Sequence, residues 1–581
     1  MHNMQIDGMI SGNSYAPTVL AGLFMLLFIP YAYGAFLKKR KQEYALFLTL
    51  GMTQKEVVLN MSAECLILSL SAGITGLICG TGLSVFFLCV LRTLLPHTTI
   101  HLELHPETYM QTIFLYTLAV TIALGIHILQ LIGSELSELF LANQKEERKR
   151  NGSPLKFCFG ILLFSAAVPL ILHGNAFSRD IIWLVSMGLS LAGIAILAAN
   201  ADILLIKAGK NSWKLPIAFV LQHLKSFRIV SFTAAFFIGI SVYFAAECIT
   251  NYPNLLQNAA VYYPYDLFYV QYESPSQKIN LISFAKLRQI LNENGVSIVK
   301  QDSLPLLRSG ACNLVSADEI NRIYGTDFQV QQGAFIHLLQ IYEHDGYEHN
   351  PISFETLHVS LNHGQELQLE LQEQHTEILF NPCNSLSTTT LIIHNADFLA
   401  IKQSSNEYLS EKAVMIQLDP WKESAPAIQA LSASMQNLNR LSEDEEYYWK
   451  ISSKIGQYHT ALQSANVFGF FTFFDILLFL IAANAAIAFK IKAEAEAAQQ
   501  TCFHLYRVGI TANEVQSICF RKNLCYYMLP LLLGILFGVS QSYNTYFVYN
   551  FGQASFLSAG IVSAAITFIQ AGVLGFTIRR E

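Results

Sequence analysis

Apolar stretches separated by charged stretches set the organisation of this chain. A helix needs about 20 apolar residues to cross the hydrocarbon core of a bilayer. Nine stretches approach or exceed that length, and the distribution of charge requires even the shortest, Phe157–Leu172. The pattern predicts membrane-spanning helices at Tyr15–Phe36, Met61–Leu91, Met110–Ile132, Phe157–Leu172, Ile181–Leu205, Val230–Ile249, Val467–Ala488, Tyr526–Ser542 and Phe556–Phe576.

One short motif occurs twice, as LGMTQKEV at residues 50–57 and as VGITANEV at residues 508–515. In each copy a glycine can end one helix in the left-handed conformation, and a threonine can cap the next helix. A glutamate three residues after the threonine completes a capping box. The motif therefore predicts a helix, a sharp turn and a new helix, and its two copies indicate an internal repeat. The residues that carry it are Gly51, Thr53, Glu56, Gly509, Thr511 and Glu514.

The pattern changes between the sixth and seventh predicted spans. Residues 250–460 are polar, and apolar and polar residues alternate in short segments such as Leu267–Tyr272. A helix-like segment and a further strand-like segment, Val296–Lys300, follow. Alternation on both sides of Asn362–Gly364 predicts a hairpin. We therefore expect an α+β domain of about 200 residues, which is large enough for its own core.

Composition is that of a membrane protein. Of the 581 residues, 52% are hydrophobic and 13% are charged, whereas soluble domains have about 25% charged residues. The mean hydropathy is +0.37.

Basic residues give the predicted orientation, because Lys and Arg accumulate on cytoplasmic loops. Clusters such as Lys38–Lys41 and Lys490–Arg507 fall at alternate loops. Outside residues 250–460, only Arg92 and Arg179 of 24 basic residues fall on the opposite side. The N-terminus is thus predicted outside, and the C-terminus and both motif copies in the cytoplasm. Residues 250–460 are then extracytoplasmic and acidic, with 24 Asp and Glu against 12 Lys and Arg.

These patterns divide the chain into six predicted parts. They are an outer N-terminal tail (1–14), a first three-span unit (15–135), a cytoplasmic basic linker (136–156), three central spans (157–249), the extracellular α+β domain (250–460) and a second three-span unit (461–581).

Three acidic residues in or near the spans, Glu64, Asp202 and Asp475, are candidate polar positions. Intramembrane acids are functional hypotheses, which keeps a proton-coupled transporter as an alternative. Without paired broken helices, this alternative is the weaker one.

The phosphate-binding pattern G-x-x-x-x-G-K-[ST] does not occur in the sequence. We therefore expect neither ATP hydrolysis nor other catalysis in this chain.

Several other residue patterns leave alternatives open. The run EHDGYEH at 343–349, with His358, His363 and His375 nearby, has metal-ligand residue types but no zinc spacing, which favours a solvated loop and no metal. Cys312 and Cys383 would pair in an oxidising compartment or stay as buried thiols. Gly76 and Gly80 form a G-x-x-x-G motif for close helix packing, within the chain or in a dimer.

The order of a span, a basic cytoplasmic helix, a G-[MI]-T-x-x-E-[VI] turn and two further spans resembles the FtsX-like permease domain. The run KKRKQEYALFLTLGMTQKEVVLNMSAE at residues 38–64 carries most of this resemblance. Duplication around one large outer domain is similar to the BceB-like permease subunits of bacitracin-type antimicrobial-peptide ABC transporters. Those relatives usually begin with one further membrane helix, and this chain starts just before their second.

The apolar pattern and the resemblance together predict an α-helical polytopic membrane protein with about nine spans, two FtsX-like three-span units and one α+β extracytoplasmic domain. It implies a non-catalytic subunit in the bacterial plasma membrane, with ATP and Mg on a partner ABC ATPase dimer. The two motif copies would be the elbows through which the ATPase acts on the outer domain by mechanotransmission. Further implied partners are a peptide antibiotic or lipid-bound peptide, a sensor histidine kinase and membrane lipid, with no nucleic acid.

Two other functions compete with this interpretation. An FtsX-like signalling scaffold would control a histidine kinase or cell-wall hydrolases without transport. A lipoprotein-release permease would have four spans and a differently placed outer domain. Nine spans and a duplicated unit favour the peptide transporter.

Overall fold

The computed structural model describes the chain in two compact units, one of Met1–Tyr252 with Gln463–Glu581 and the other of Pro253–Leu462. The predicted outer tail, most of the predicted basic linker and the EHDGYEH run lie outside the described residues. The residues not described are 1–14, 95–104, 133–151, 173–178, 209–210, 223, 275–277, 309–311, 341–354, 362–365, 387–388, 405–407, 440–448, 550–553 and 581.

Helices make up the first part of the chain. They are α1 (Tyr15–Thr49), α2 (Gln54–Leu94), α3 (Pro106–Ile132), α4 (Pro154–Leu172), α5 (Arg179–Ala199), α6 (Ala201–Ala208), α7 (Lys214–Gln222) and α8 (Leu224–Tyr262), with a short 3-10 helix at Asn211–Trp213.

Strands and short helices follow within Pro253–Leu462. The strands are β1 (Leu267–Glu273), β2 (Lys278–Ile279), β3 (Ser297–Arg308), β4 (Asn313–Ser316), β5 (Ala334–Leu339), β6 (Thr356–Ser360), β7 (Glu366–Thr376), β8 (Thr390–Ile393), β9 (Leu409–Asp419) and β10 (Ser452–Ser453). The helices are α9 (Phe284–Glu293), α10 (Ala317–Tyr324), α11 (Asn395–Ser404) and α12 (Ala425–Asn439), with a 3-10 helix at Trp421–Glu423.

Three long helices complete the chain: α13 (Lys454–Arg507), α14 (Ala512–Tyr549) and α15 (Ala554–Arg580). Within the described residues, seven helices are long and apolar enough to cross a membrane. They are α2, α3, α5, α8, α13, α14 and α15, whereas α4 offers a shorter apolar stretch, Pro154–Ala166. The total of nine spans therefore stays a prediction.

Helix boundaries differ from the predicted ones in three places. The predicted span Ile181–Leu205 is interrupted at Asn200, between α5 and α6. The sequence pattern suggested a span and then a basic cytoplasmic helix before each motif, but each charged run continues the preceding span as one helix, α1 and α13. Both runs are rich in Lys, Glu, Gln, Ala and Leu, which are strong helix formers. No glycine or proline interrupts α1 after Gly34 or α13 after Gly469.

Two apolar clusters hold the helical unit together. The first lies among α1, α2 and α3, where Tyr44, Met61 and Cys65 are almost fully buried. The second is larger and joins α5, α7, α8, α13, α14 and α15, with Phe227 and Phe237 at its centre. The hydroxyl of Tyr31 on α1 donates a hydrogen bond of 2.7 Å to the carbonyl of Ala486 on α13, and so links the two groups of helices.

Glycines permit a close helix crossing between α8 and α14. A Cβ atom added to Gly538 would lie 2.6 Å from the Cβ of Val242 and 2.7 Å from the carbonyl oxygen of Gly239. The G-x-x-x-G motif that the sequence suggested, Gly76 and Gly80, is not used in this way. No described atom lies within 4 Å of a Cβ added at either residue, so packing within the chain is not its role in the part that the structure describes.

We predict that Gly538→Val destabilises the helical unit, because overpacking a tight crossing costs about 1–3 kcal/mol. The thermal unfolding midpoint of the purified protein in detergent should fall by several degrees. Gly572→Val on α15 is the matched control, since a Cβ there meets no described atom within 4 Å. Equal midpoints for the two variants would contradict the crossing.

The unit Pro253–Leu462 is built on one sheet with the strand order β10-β1-β9-β3-β4-β8-β5-β7-β6, and β2 also pairs with β1. The pairs β4–β8 and β5–β7 are parallel, and the other pairs are antiparallel. Helices α9, α11 and α12 cover one face of the sheet. Helix α10 packs on the opposite face. Two faces with separate apolar clusters confirm the expected α+β character.

Local elements of this unit match the sequence pattern, but their order in the sheet was not predicted. The hairpin is confirmed, since β6 pairs with β7 in antiparallel register. The first two predicted strands, β1 and β3, are not neighbours, because β9 lies between them and pairs with both.

No disulfide joins Cys312 to Cys383, and their thiols pack in different apolar clusters.

An ion pair is buried in this unit between β3 and β9. The Nε of Arg308 lies 3.0 Å from both carboxylate oxygens of Glu411, and its Nη2 lies 2.7 Å from Oε1. The Glu411 side chain is fully buried and that of Arg308 nearly so. Burial raises the pKa of Glu411, and the charge and hydrogen bonds of Arg308 oppose this rise.

We predict that Arg308→Met lowers the free energy of unfolding by about 3–5 kcal/mol at about pH 7.5, because it leaves a buried carboxylate unpaired. The pKa of Glu411 should then rise further. A carboxyl group with a raised folded-state pKa destabilises the fold increasingly as pH rises through that pKa, so the variant should regain stability relative to wild type towards about pH 5.

Arg322→Met is the matched control, because its ion pair with Glu319 is exposed and such pairs contribute about 1 kcal/mol or less. Denaturant unfolding at both pH values measures the effect. A deficit of Arg308→Met that did not shrink at the lower pH would contradict the buried pair.

Candidate functional site

The first copy of the motif forms a tight corner between α1 and α2. Gly51 has a φ of 98°, in the left-handed region that favours glycine. The N–H of Gly51 donates to the carbonyl of Leu48 (3.2 Å), and the N–H of Met52 donates to the carbonyl of Phe47 (3.1 Å). These bonds satisfy the last carbonyls of α1 and end it.

A capping box starts α2 directly after this turn. The N–H of Thr53 donates to Oε2 of Glu56 at 2.7 Å, and the hydroxyl of Thr53 donates to the same oxygen at 3.0 Å. In return, the N–H of Glu56 donates to the hydroxyl oxygen of Thr53 at 3.4 Å. The corner therefore satisfies several of its backbone N–H groups with its own atoms.

The second copy forms the same corner between α13 and α14. Gly509 has a φ of 92°, and its N–H donates to the carbonyl of Tyr506 at 3.0 Å. The N–H of Ile510 donates to the carbonyl of Leu505 at 3.2 Å. The N–H and hydroxyl of Thr511 donate to Oε2 of Glu514 at 2.9 and 2.8 Å. All six residues singled out in the sequence thus have corresponding local roles in the two corners.

Each corner exposes a large apolar residue at its tip. Leu50 is 74% exposed and the corresponding Val508 is 82% exposed. Single exposed apolar residues are ordinary on a protein surface, but the same exposed position in two corners of the same geometry indicates a common use. Neither residue was predicted from the sequence to be functional, although each stands directly before a motif glycine.

Behind the first corner, Glu64 on α2 contacts α1. The hydroxyl of Tyr44 donates to its Oε2 at 3.1 Å, and Nη2 of Arg40 lies 3.9 Å from its Oε1. Arg40 also pairs with Glu43. Glu64 is therefore a polar contact between two helices close to the corner.

Behind the second corner, a buried ionic cluster joins α13 to α14. Glu494 contacts Nζ of Lys490 at 2.5 Å and Nζ of Lys522 at 3.6 Å. The hydroxyl of Tyr526 donates to Glu494 at 2.6 Å. Lys522 on α14 and Glu64 on α2 lie at the same spacing in the sequence from the motif glycines, Gly509 and Gly51. Both corners therefore carry a charge pair between their two helices. The acidic residue is on the second helix in the first corner and on the first helix in the second corner.

Sequence reasoning missed this cluster, because its members come from two helices and meet only after folding. The four-residue spacings of Lys490 with Glu494 and of Lys522 with Tyr526 place each pair on one helix face. This spacing was the signal available in the sequence, but it does not show that the two helix faces contact each other.

Asp202 and Asp475 have different surroundings. Asp202 lies in the first turn of α6, pairs with Arg228 at 2.9 Å and accepts a hydrogen bond from the N–H of Gly152. Asp475 is buried on α13, and its Oδ2 has no hydrogen-bond partner among the described residues. Glu64, Asp202 and Asp475 thus have separate environments rather than one shared site.

A further set of polar contacts links α5, α8, α14 and α15. The hydroxyl of Thr545 lies 3.1 Å from that of Tyr243 and 3.4 Å from the indole nitrogen of Trp183. The hydroxyls of Thr250 and Ser558 lie 2.6 Å apart. Polar residues between membrane helices commonly hold them together, and this is the role that these contacts support.

The histidines of the other unit are not gathered into one site in the part that the structure describes. His337 is buried on β5, which lowers its pKa, and His375 lies 3.2 Å from Glu377. His358 is exposed on β6. Among the described residues, no group of three or more His, Cys, Asp or Glu is placed to hold a metal ion. His363 and the EHDGYEH run lie outside those residues.

We predict that Glu494→Leu destabilises the protein by about 3–5 kcal/mol, since it removes the carboxylate that two buried ammonium groups contact. Lys522→Met should cost less, because Glu494 keeps Lys490. Glu43→Leu is the control, because its pair with Arg40 is exposed. Thermal unfolding in detergent measures all three, and a wild-type midpoint for Glu494→Leu would exclude an important role for the cluster.

Comparison with known proteins supports a family relationship for the first three-span unit. Residues 17–136 match the family model of the FtsX-like permease C-terminal region. This stretch contains all but the first two residues of α1, the first corner, α2 and α3. No curated protein matches the chain. The match supports an FtsX-like ABC-type permease, a class that is generally non-catalytic and generally works with an ABC ATPase. Together with the apolar helices, it fits a membrane protein.

Proposed function

We propose that this protein is the membrane subunit of a bacitracin-type ABC transporter, which removes or senses antimicrobial peptides at the outer surface of a bacterial plasma membrane. A separate ATPase dimer would drive it through the two corners. The observation that carries the proposal is the repetition of one corner geometry, with the same left-handed glycine, capping box and exposed apolar tip.

Two equivalent corners suit a motor with two equivalent subunits. Each tip offers a large apolar side chain that a groove on an ATPase can bury, and full burial of such a side chain contributes roughly 1.5–3 kcal/mol. The G-x-x-x-x-G-K-[ST] phosphate-binding motif is absent from the sequence, which is why the motor is placed on another chain. The match of the first corner to an FtsX-like family supports the same assignment.

Continuous helices provide a means of transmitting movement from each corner. Helix α13 has 54 residues, or about 80 Å at 1.5 Å per residue. It begins at Lys454, within the sequence of the sheet-containing unit, and ends at the second corner. Because Gly509 and the Thr511–Glu514 cap fix the angle of the turn, a push on the corner would act on a stiff helix rather than on a flexible loop.

Charge supports the proposed orientation and substrate. Basic clusters beside both motifs favour a cytoplasmic position for the corners. Residues 250–460 carry twice as many acidic as basic residues, which favours encounter with cationic peptides. The choice of bacitracin-like peptides, and of a sensor histidine kinase as a further partner, follows from the resemblance to BceB-like subunits.

We predict that Leu50→Ser and Val508→Ser, combined in one chain, reduce co-purification of the ATPase by about tenfold or more, because each change removes an apolar contact worth about 1.5 kcal/mol. Peptide resistance of cells that depend on this transporter should fall in parallel. Both side chains are exposed, so the fold should be unaffected.

Leu155→Ser is the matched control, since Leu155 is 83% exposed at the start of α4. Undiminished ATPase association in the double variant would contradict the role of the corners. Loss of the ATPase with full retention of peptide resistance would instead favour a signalling scaffold that does not transport.

A further inference from the structure

The sheet of the unit Pro253–Leu462 ends in a strand that is paired on one side. Strand β6 is the last in the strand order, and β7 is its partner. Within the described residues, no strand lies along the other side of β6. An unpaired strand edge presents a row of backbone N–H and C=O groups that can bind another strand.

The register shows which residues present these groups. The N–H of Leu371 on β7 donates to the carbonyl of Glu355, just before β6, at 2.9 Å. In an antiparallel pair the direction of the backbone groups alternates along each strand. Leu357 and Val359 therefore direct their backbone groups towards β7. The backbone groups of Thr356, His358 and Ser360 face the open side.

The two faces of the hairpin differ in chemistry. Thr356, His358 and Ser360 are exposed, and their cross-strand partners are Glu370, Gln368 and Glu366, so this face is polar and acidic. On the opposite face, Val359 and Leu369 are fully buried in an apolar cluster, and Leu357 packs against it. A strand added beside β6 would meet carboxylates on one face and the margin of an apolar cluster on the other.

Sequence composition around the edge favours a cationic partner. Residues 323–401 contain 10 Asp and Glu and no Lys or Arg. Glu366 and Glu370 are exposed beside the edge. Proteins usually protect an open edge with lysine or proline, and neither occurs between Glu355 and Glu377. The lack of lysine and proline at residues 355–377 and the one-sided charge both suit an edge that is used for binding.

We propose that the open edge of β6 binds an extended cationic peptide segment by strand addition, with basic residues towards the acidic face and apolar residues towards Leu357 and Val359. The backbone of Thr356, His358 and Ser360 would supply the hydrogen bonds, as in other strand-addition complexes. The proposal rests on the proposed function only in taking a peptide as the substrate class.

The probe for the test is a synthetic peptide of alternating lysine and valine, and binding is measured on the full chain in lipid nanodiscs. His358→Pro removes the central outward N–H, and proline is tolerated at an edge strand whose N–H faces outwards. This variant should weaken binding at least tenfold. The matched variant His358→Ala keeps the N–H and should bind like wild type. Equal binding by all three proteins, or equal loss in both variants, would overturn strand addition.

A modified probe guards against damage to the hairpin by the proline. N-methylation of alternate residues blocks the backbone groups of the peptide without any change in the protein, and it should abolish binding to wild type. A peptide of alternating glutamate and valine should not bind, and Glu366→Gln with Glu370→Gln should weaken binding of the lysine peptide. Retained binding of the N-methylated peptide would overturn the proposal.

Hydrogen exchange tests whether the edge is open. Before peptide is added, the amides of Thr356, His358 and Ser360 should exchange fast and those of Leu357 and Val359 slowly; added peptide should protect the first three. Protection of those three without peptide would overturn the proposal. The chain with Leu50→Ser and Val508→Ser should still bind the peptide, so a failed edge and a failed corner give different results.

Discussion

A left-handed glycine followed two residues later by a threonine cap is the constraint on which the helical unit depends. It ends one long helix and starts another within a few residues, with the backbone groups of the turn satisfied locally. The hydrogen bonds of the turn hold its geometry, and the φ of Gly51 and of Gly509 lies in the left-handed region that glycine adopts without strain. The two corners are therefore short connections between long helices that are closed by their own hydrogen bonds.

Polar contacts behind the corners keep the paired helices in register. The first corner has Glu64 with Arg40 and Tyr44, and the second has Glu494 with Lys490, Lys522 and Tyr526. Removing one partner of a buried ion pair is costly, so the buried Glu494 cluster resists separation of α13 from α14, whereas the Arg40–Glu64 pair is more exposed. The close glycine crossing of α8 with α14 adds steric precision in the same unit. Movement imposed at a corner would therefore be shared by the helices packed behind it.

Local features were predictable from the sequence, whereas contacts between distant segments were not. The corner residues were predictable because six consecutive positions, from the glycine to the glutamate, contain the whole motif. Strands β1 and β3 were predictable because their sequence patterns are local. The insertion of β9 between β1 and β3 depends on pairing across more than one hundred residues, and no local pattern records it. The Glu494 cluster was missed for the same reason.

Helix ends were also difficult to predict where composition and propensity disagree. The charged run after Phe36 suggested the end of a span, but its residues favour helix, so α1 continues to Thr49. The Gly76 and Gly80 pair suggested packing that the described residues do not show. A small-residue motif permits a close contact, but the neighbouring helices decide whether it forms.

Photo-crosslinking from the two tips tests most directly whether a motor acts on the corners. A photoreactive phenylalanine analogue would replace Leu50 or Val508 in cells that also contain the ATPase, with Leu155 as the control position. We expect crosslinks to the ATPase from both tips and none from Leu155. Absence of ATPase crosslinks from both tips, with the protein otherwise intact, would contradict the proposed coupling.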